Sequence, residues 1–458
     1  MKVVKFGGSS LASGAQLEKV FHIVTSDPAR KAVVVSAPGK RYAEDTKVTD
    51  LLIACAEQYL ASGSAPELAE AVMERYALIA NELQLEQSII EKIRDDLFTL
   101  LEGEQNNPEQ YLDAVKASGE DNNAKLIAAY FRHKGVKAEY VNPKDAGLFV
   151  TNEHGNAQVL PESYENLYRL RERDGLIIFP GFFGFSKTGD VITFSRSGSD
   201  ITGSILANGL QADLYENFTD VDAVYSVNPS FVNNPKEISE LTYREMRELS
   251  YAGFSVFHDE ALIPAFRAGI PVQIKNTNNP SAQGTRVVSK RDNTNGPVVG
   301  IASDTGFCSI YISKYLMNRE IGFGRRALQI LEDHGLTYEH VPSGIDDMTI
   351  ILREGQMDAV TERSVINRIE EDLQADEVIV EHHLALIMVV GEAMRHNVGT
   401  TARAAKALSE AKVNIEMINQ GSSEVSMMFG VKEAEERKAV QALYQEFFAG
   451  VLISSLHK

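Results

Sequence analysis

Short apolar runs alternate along most of this chain with stretches whose apolar residues fall at helical spacing. Residues 1–36 set the pattern: "KVVKF", then Leu17, Val20, Phe21 and Val24 on one helical face, then "KAVVVSA". Residues 49–134 read as mostly helical, with "LAEAVMERYALIANEL" and "IIEKIRDDLFTLL" the clearest stretches. Strand signals return at "KAEYV", "GLIIFPGFFGF", "DVITF" and "ADLYENFTDV", with a helix over "ITGSILANGL". A helix over "TYREMRELSYAG" then precedes the strand "IPVQIKNT". Strands that alternate with helices predict an α/β fold, a mostly parallel sheet covered by helices on both faces.

The polar, turn-rich "KRDNTNGP" (290–297) closes this pattern. Beyond it the order becomes β-α-β-β-α-β. "FCSIYIS", "GFGRRALQILEDHG", "TYEHVPSG", "DMTIILRE", "DAVTERSVINRIEEDL" and "DEVIVEHH" make one copy. "LALIMVVG", "VGTTARAAKALSEA", "NIEMINQG", "EVSMMFGV" and "EERKAVQALYQEFF" begin a second, which has only "AGVLISSLHK" as a weak last strand. "GPVVGIAS" (296–303) has no partner in the first copy. It is therefore expected to complete the second, with the first copy inserted. The expected domains are 1–292, then 307–382, then 296–306 joined with 384–450.

The chain has 458 residues, enough for about three domains, and a net charge of −19. That charge repels phosphate polymers and argues against a nucleic-acid or anionic-membrane partner, so an anionic substrate needs a local basic pocket. Two distant cysteines, Cys55 and Cys308, suit a reducing cytoplasm better than a disulfide framework. The first strand starts at residue 2, so no signal peptide is expected. No apolar run approaches the length of a membrane helix.

In "KVVKFGGSS", Lys5 interrupts an apolar strand, and Gly7, Gly8 and Ser9 follow it. A glycine turn leading into a helix offers main-chain N–H groups to an anion, and the lysine adds a full charge. This reads as a phosphate cradle; a tight turn with a snorkelling lysine gives the same letters. The segment is not the P-loop signature. "FSRSGSD" follows a strand and enters a helix that Ser199 or Asp200 could cap. Arg196 there can grip a carboxylate through two parallel hydrogen bonds, or stand as a surface arginine. In "ASGEDNNA", Glu120 reads as a first-turn acid opening a helix. Thr49, in "VTDLL", reads equally well as an N-cap. Ser36 ends the second strand. No His/Cys cluster with metal-ligand spacing is present.

"KFGGSS", "SGEDNNA", "FSRSGSD", "FTDVDAVYSVNP" and "IKNTNNPSAQGT", in this order and followed by a βαββαβ pair, resemble aspartate kinase over essentially the whole chain. Several residues resemble its monofunctional, lysine-responsive branch. The resemblance implies an amino-acid-kinase domain, two ACT sensor domains (ferredoxin-like), and phosphorylation of the side-chain carboxylate of L-aspartate by ATP with Mg²⁺. The product, 4-phospho-L-aspartate, opens the biosynthesis of lysine, threonine, methionine and diaminopimelate. In this reading Lys5 neutralises the transferring phosphoryl group beside Gly7 and Gly8, and Asp200 organises the site. Arg196 binds the substrate α-carboxylate, Glu120 its ammonium, and Thr49 and Ser199 assist. Thr219, Asp220 and Tyr225 would hold the nucleotide. Core packing is an equal account of Tyr225.

Two departures from the family pattern stand out. Ser230 and Ser255 occupy places where the family often has an arginine and a lysine facing ATP, and Asp259 replaces an expected proline. Lys275 is a candidate replacement cation. His258 reads as a packed or capping residue, because this chemistry needs no base. For the sensor, Met317, Glu320, Phe323, Gly324, Thr337, Tyr338, Glu339 and Ser343 map near the effector site. The expected effector is lysine, alone or with threonine, and Glu339 is the expected partner of its ammonium. Sheet edges of ACT type invite a second chain, so a homodimer or higher homo-oligomer is expected. Two other readings fit less well. One is a kinase for another carboxylate or carbamate. The other is an amino-acid sensor with a vestigial kinase domain.

Overall fold

β1 (Lys2–Phe6), the glycine turn behind it and α1 (Gly14–Thr25) open a sheet that β2 (Arg30–Val35) extends in parallel. The structure is a computed structural model that describes residues 1–254, 260–292, 296–421 and 425–449. Four helices follow: α2 (Val48–Ser62), α3 (Pro66–Glu82), α4 (Gln87–Leu101) and the 26-residue α5 (Pro108–His133). Then come β3 (Ala138–Tyr140), α6 (Glu162–Tyr168), β4 (Leu176–Pro180) and a hairpin of β5 (Phe183–Phe185) with β6 (Val191–Thr193). α7 (Gly198–Gly209) and β7 (Leu214–Thr219) complete the part that carries the site.

The eight-stranded sheet runs Glu240–Thr242, Thr285–Val288, Val272–Asn276, β7, β1, β2, β4, β3. All its neighbours are parallel except the pair Val272–Asn276 with Thr285–Val288. Strand alternation divides β1 between two faces. Val4 and Phe6 join Val33, Val35 and Phe218 in a core with α1 to α5. Val3 and Lys5 point the other way, to the face that α7 covers.

The chain divides into two units. One holds Met1–Val224, Glu237–Arg247 and Ser255–Asp292; the other holds Tyr225–Lys236, Glu248–Phe254 and Asn293–Lys458. The sequence reading had 1–292 as one uninterrupted stretch. Two short pieces leave it because their side chains are committed to the second unit. Val227, Phe231 and Val232 enter a core with Ile387, Val389 and Phe429, and Glu248 accepts a hydrogen bond from Ser426 at 2.8 Å.

The second unit contains a five-stranded antiparallel sheet: Asp347–Arg353, Gly300–Ser313, Glu377–Val390, Ser426–Lys432, Met417–Asn419. Strands expected as separate runs are continuous. "GPVVGIAS" flows into "FCSIYIS", and "DEVIVEHH" into "LALIMVVG". Residues 300–304 pair with 386–390, and 309–313 with 377–381. "TYEHVPSG", expected as a strand, makes only the isolated bridges His340–Ile351 and Ser343–Met348. Helices Phe323–Asp333 and Ala359–Leu373 build one apolar core on this sheet; Thr400–Glu410 and Glu436–Tyr444 build another. All of the weak last strand "AGVLISSLHK" after Ala449 lies outside the described residues.

Candidate active site

The C-terminal ends of β1, β2, β4 and β7 meet along one edge of the parallel sheet, where open α/β sheets hold their ligands. Lys5 is 7% exposed, and its Nζ lies 2.6 Å from Asp200 Oδ1. Strand register produces this meeting. Lys5 is paired with Asn217 of β7, and Asn217 Nδ2 donates to the same Asp200 oxygen at 2.6 Å. The Tyr215 hydroxyl, two residues back on the same face, donates to the Asp200 carbonyl at 3.2 Å. Two buried charges are tolerated here because each meets the other and Asn217 donates to the same carboxylate oxygen.

The glycine turn differs from the sequence expectation in one respect. Gly7 N–H donates to the Phe218 carbonyl at 3.1 Å, so the sheet uses it and no ligand can. Gly8–Leu11 form a short 3₁₀ turn, whose first N–H groups, Gly8 and Ser9, have no acceptor among the described residues. A Cβ on Gly8 would stand 3.0 Å from the Ala37 carbonyl and 3.1 Å from Gly39 Cα, which is why the position has none. α1 begins later, at Gly14, capped by the Ser13 hydroxyl.

Glu120 sits in the middle of α5, not at a helix start. It is buried, accepts from the Ala37 N–H, and leaves Oε2 without a partner among the described residues. Burial pushes its carboxyl up to about 8, against the opposing pull of that N–H and of Lys5. Ser36 presents its carbonyl to Asn123 Nδ2 at 2.6 Å. Thr49 is the second residue of α2; Lys47 holds the cap position, so Thr49 is not the N-cap.

α7 starts at Gly198 after Ser197, whose φ of 60° is left-handed, and neither Ser199 nor Asp200 caps it. Ser199 is buried against the end of β4: a Cβ on Gly181 would fall 2.6 Å from Ser199 Cβ. Arg196 is exposed and has no hydrogen-bond or ion-pair partner among the described residues. The structure thus brings Lys5, Asp200 and Ser199 to one edge of the sheet, with the Arg196 loop leading into the same helix. Glu120 faces the Ala37 end of β2 nearby.

Thr219 ends β7, and its hydroxyl donates to Asp220 Oδ1 at 3.1 Å. Lys275 is not brought to this cluster. It pairs with Phe218, so it stands on the Phe6 face, opposite Lys5, near Glu216 and Arg30. Tyr225 and Ser230 belong to the second unit, where the Ser230 carbonyl accepts from Arg437 at 2.8 Å. Ser255, His258 and Asp259 lie outside the described residues. No group of three or more His, Cys, Asp or Glu side chains among the described residues is arranged to hold a metal.

Four residues were missed by the sequence reading. Asn217 orients Asp200, Asn123 ties α5 to Ser36, Gly39 packs on Gly8, and Phe182 carries a φ of 77° against Gly198. Asn217 could have been found: it is polar within the apolar run "LYENF", on the side-chain period of a strand. Nothing in the sequence marks Phe182.

The expected effector residues fall into two groups on the second unit. Met317, Glu320, Phe323 and Gly324 surround the start of helix Phe323–Asp333. Ser343 bridges Met348, whose side chain lies 3.9 Å from where a Gly324 Cβ would be. Glu320 is paired with Lys314 at 2.6 Å and with Arg326, and these cations hold its carboxyl below the usual range. Thr337, Tyr338 and Glu339 stand at the other end of the 337–343 segment. Thr337 bonds Gln356, Tyr338 is exposed, and Glu339 accepts from the Tyr251 hydroxyl and lies 3.6 Å from Arg353.

Residues 1–276 match the model of the amino acid kinase family, and residues 387–447 an ACT domain model. Aspartokinase 3 of Bacillus subtilis strain 168 is 96% identical over 454 residues, 99% of this chain and 100% of that protein. The crystal structure of Clostridium acetobutylicum aspartate kinase superposes with a TM-score of 0.87 at 37% identity, covering 98% of this chain and all of that one. Escherichia coli aspartokinase III in complex with aspartate and ADP gives 0.78 at 26% identity over 98% of this chain and 100% of that one. The same enzyme has also been solved with lysine and aspartate, in its T-state, and gives 0.77 at 26% identity over 98% of this chain and 99% of that one. With a relative this similar over its full length, and a family model spanning more than half its residues, this chain belongs to the amino acid kinase family and, within it, to the aspartokinases.

Proposed function

We propose that the buried Lys5–Asp200 pair is the centre at which this aspartate kinase transfers the γ-phosphoryl group of ATP to the side-chain carboxylate of L-aspartate. The single observation that carries the assignment is a lysine 2.6 Å from an asparagine-oriented aspartate, next to two main-chain N–H groups without acceptors among the described residues. A carboxylate oxygen bonds to the γ-phosphorus as the bond from that phosphorus to the β,γ-bridging oxygen breaks, and ADP leaves. The nucleophile is ionised at neutral pH, so no base is required. What the reaction needs is an anion held in line with a polyanion. Lys5 and the Gly8 and Ser9 N–H groups supply charge at the transferring group. Asp200, fixed by Asn217, keeps Lys5 in place. Mg²⁺ arrives with the nucleotide, since a hard cation prefers phosphate and water oxygens. Arg196 takes the substrate α-carboxylate and Glu120 its ammonium, which selects a free amino acid.

Lysine, alone or with threonine, is the proposed inhibitor of this chain, bound by the ACT domains of a homo-oligomer. Its expected setting is the cytoplasm, consistent with two buried free cysteines. The test of the catalytic assignment is purified, folded Lys5→Ala assayed by trapping the acyl phosphate with hydroxylamine. Losing one preorganised charge contact costs about 3 kcal/mol in the barrier, roughly a hundredfold in turnover. Near-wild-type turnover would remove Lys5 from the role. No acyl phosphate from the wild type with any of a panel of amino acids would favour the sensor reading.

A further inference from the structure

Asp113 is a buried acid for which phosphoryl transfer has no use. It lies on α5, 1% exposed. Its Oδ1 meets Lys116 Nζ at 2.7 Å and accepts from the Thr193 hydroxyl at 2.7 Å. Its Oδ2 accepts from the Thr193 N–H at 3.0 Å and the Gly155 N–H at 3.3 Å, and lies 2.9 Å from His154 Nδ1. A carboxylate this deep is tolerated only when both oxygens are met, and breaking such a set leaves a charge unpaired. The set joins α5 to the end of β6. Thr193 has every polar group engaged, because its carbonyl also accepts from the Ala157 N–H at 3.2 Å. The next N–H, of Phe194, donates to the Phe182 carbonyl at 2.8 Å, and α7 begins at Gly198. Arg196 therefore sits on a short span, 195–197, between two fixed points. It is exposed, and no described residue holds its guanidinium. Where the span is anchored decides where that guanidinium can reach.

Glu120 stands seven residues beyond Asp113, about two turns along the same face of α5. One helix thus carries Glu120 directly and the Arg196 span through Thr193. We propose that Asp113 is a positioning residue that sets Arg196 at the α-carboxylate of the substrate, α5 fixing the spacing between that contact and Glu120. The inference rests on the roles given to Arg196 and Glu120 under the proposed function. A bidentate pair is demanding in geometry, so loosening the anchor weakens recognition of the α-carboxylate and spares recognition of the ammonium.

The test compares, by calorimetry on the full-length protein, the affinities of L-aspartate, its α-amide and succinate. The α-amide lacks the charge that Arg196 reads, and succinate lacks the ammonium. The wild type is expected to prefer L-aspartate over both. Asp113→Asn replaces one accepting oxygen with an NH₂ group. It is expected to cut the preference over the α-amide at least fivefold and to keep the preference over succinate. Thr193→Val removes only the hydroxyl bond and is expected to cut the α-amide preference severalfold, while Thr193→Ser keeps it. Circular dichroism checks each fold, and Thr193→Val with Thr193→Ser carries the test if Asp113→Asn does not fold. A purely structural role would lower the melting temperature and leave both preferences intact. That result, or a parallel loss of both preferences, would overturn the proposal. Arg196→Ala separates the two levels. If it abolishes the α-amide preference while the folded Asp113 and Thr193 variants retain it, only this inference fails. If it leaves that preference intact, the role of Arg196 fails and this inference falls with it.

Discussion

Glu120 shows most directly how a single residue's surroundings set its chemistry. Burial holds its carboxyl near 8, far above the ordinary value of 4.5, so in the ligand-free protein it is mostly protonated at pH 7. Pairing with a substrate ammonium would ionise it. Aspartate binding near pH 7 is therefore expected to release close to one proton, read as a buffer-dependent calorimetric heat that disappears in Glu120→Gln. Stability follows the same linkage. A carboxyl raised by folding contributes fully below its unfolded value, and the contribution is lost as pH climbs from 4.5 towards 8. That loss is roughly 3 kcal/mol by pH 7. Glu120→Gln should thus melt higher than wild type at pH 7.5, with the gap closing at pH 5. A gap that is equal at both pH values would mean the carboxyl is charged in the free protein. Arg196 differs in kind: it is exposed and has no partner among the described residues, so Arg196→Lys should raise KM for aspartate at least tenfold while leaving the melting temperature unchanged.

Among elements, the loop between β2 and α2 matters most for the glycine turn after β1. Arg75 of α3 is buried, and donates to the Gly39 carbonyl at 2.6 Å and the Thr46 carbonyl at 2.7 Å. It also lies 3.2 Å from Asp45, which Arg41 grips as well. These cations hold the Asp45 carboxyl well below the usual range. Gly39 N–H in turn donates to the Gly8 carbonyl at 2.8 Å, and a Cβ on Gly39 would fall 2.4 Å from Gly8 C. Gly39→Ala must therefore displace the turn, and turnover is expected to drop more than tenfold with aspartate affinity largely retained. Wild-type turnover in that variant would mean the turn can shift without consequence. The elements themselves were largely legible: β1, β2 and β4 are short, mostly apolar runs of strand length, and β7 mixes Tyr215 and Phe218 with polar residues. α5 was misread because Gly119 looks like a break. The helix runs through it, since a Cβ there would stand 3.0 Å from Ala37 and from Leu52, and glycine is what lets α5 approach α2. The 197–200 turn was misread because Ser197 takes a left-handed conformation that the letters do not announce. Lys275 was misjudged because one residue of strand register decides its face, and register depends on the neighbouring strand.

At the scale of the whole molecule, the proposed inhibition requires a ligand that prefers one arrangement of the chain, since equal affinity for two states shifts nothing. Glu339 is already engaged by Tyr251 and Arg353. Lysine would compete with them, so Glu339→Gln is expected to raise the lysine concentration needed for inhibition with uninhibited turnover intact. A titration with threonine absent and then present checks this, and superimposable curves would remove Glu339 from the effector site. The second unit's sheet sets a further limit. Gly300–Ser313 and Glu377–Val390 are single strands of 14 residues each, and each passes from one apolar core to the other without interruption. Removing residues 307–382 would truncate both strands and take hydrogen-bonding partners from what remains. The two halves therefore share their central strands, and a destabilising substitution in one is expected to lower the stability of the other, read as loss of amide protection in both.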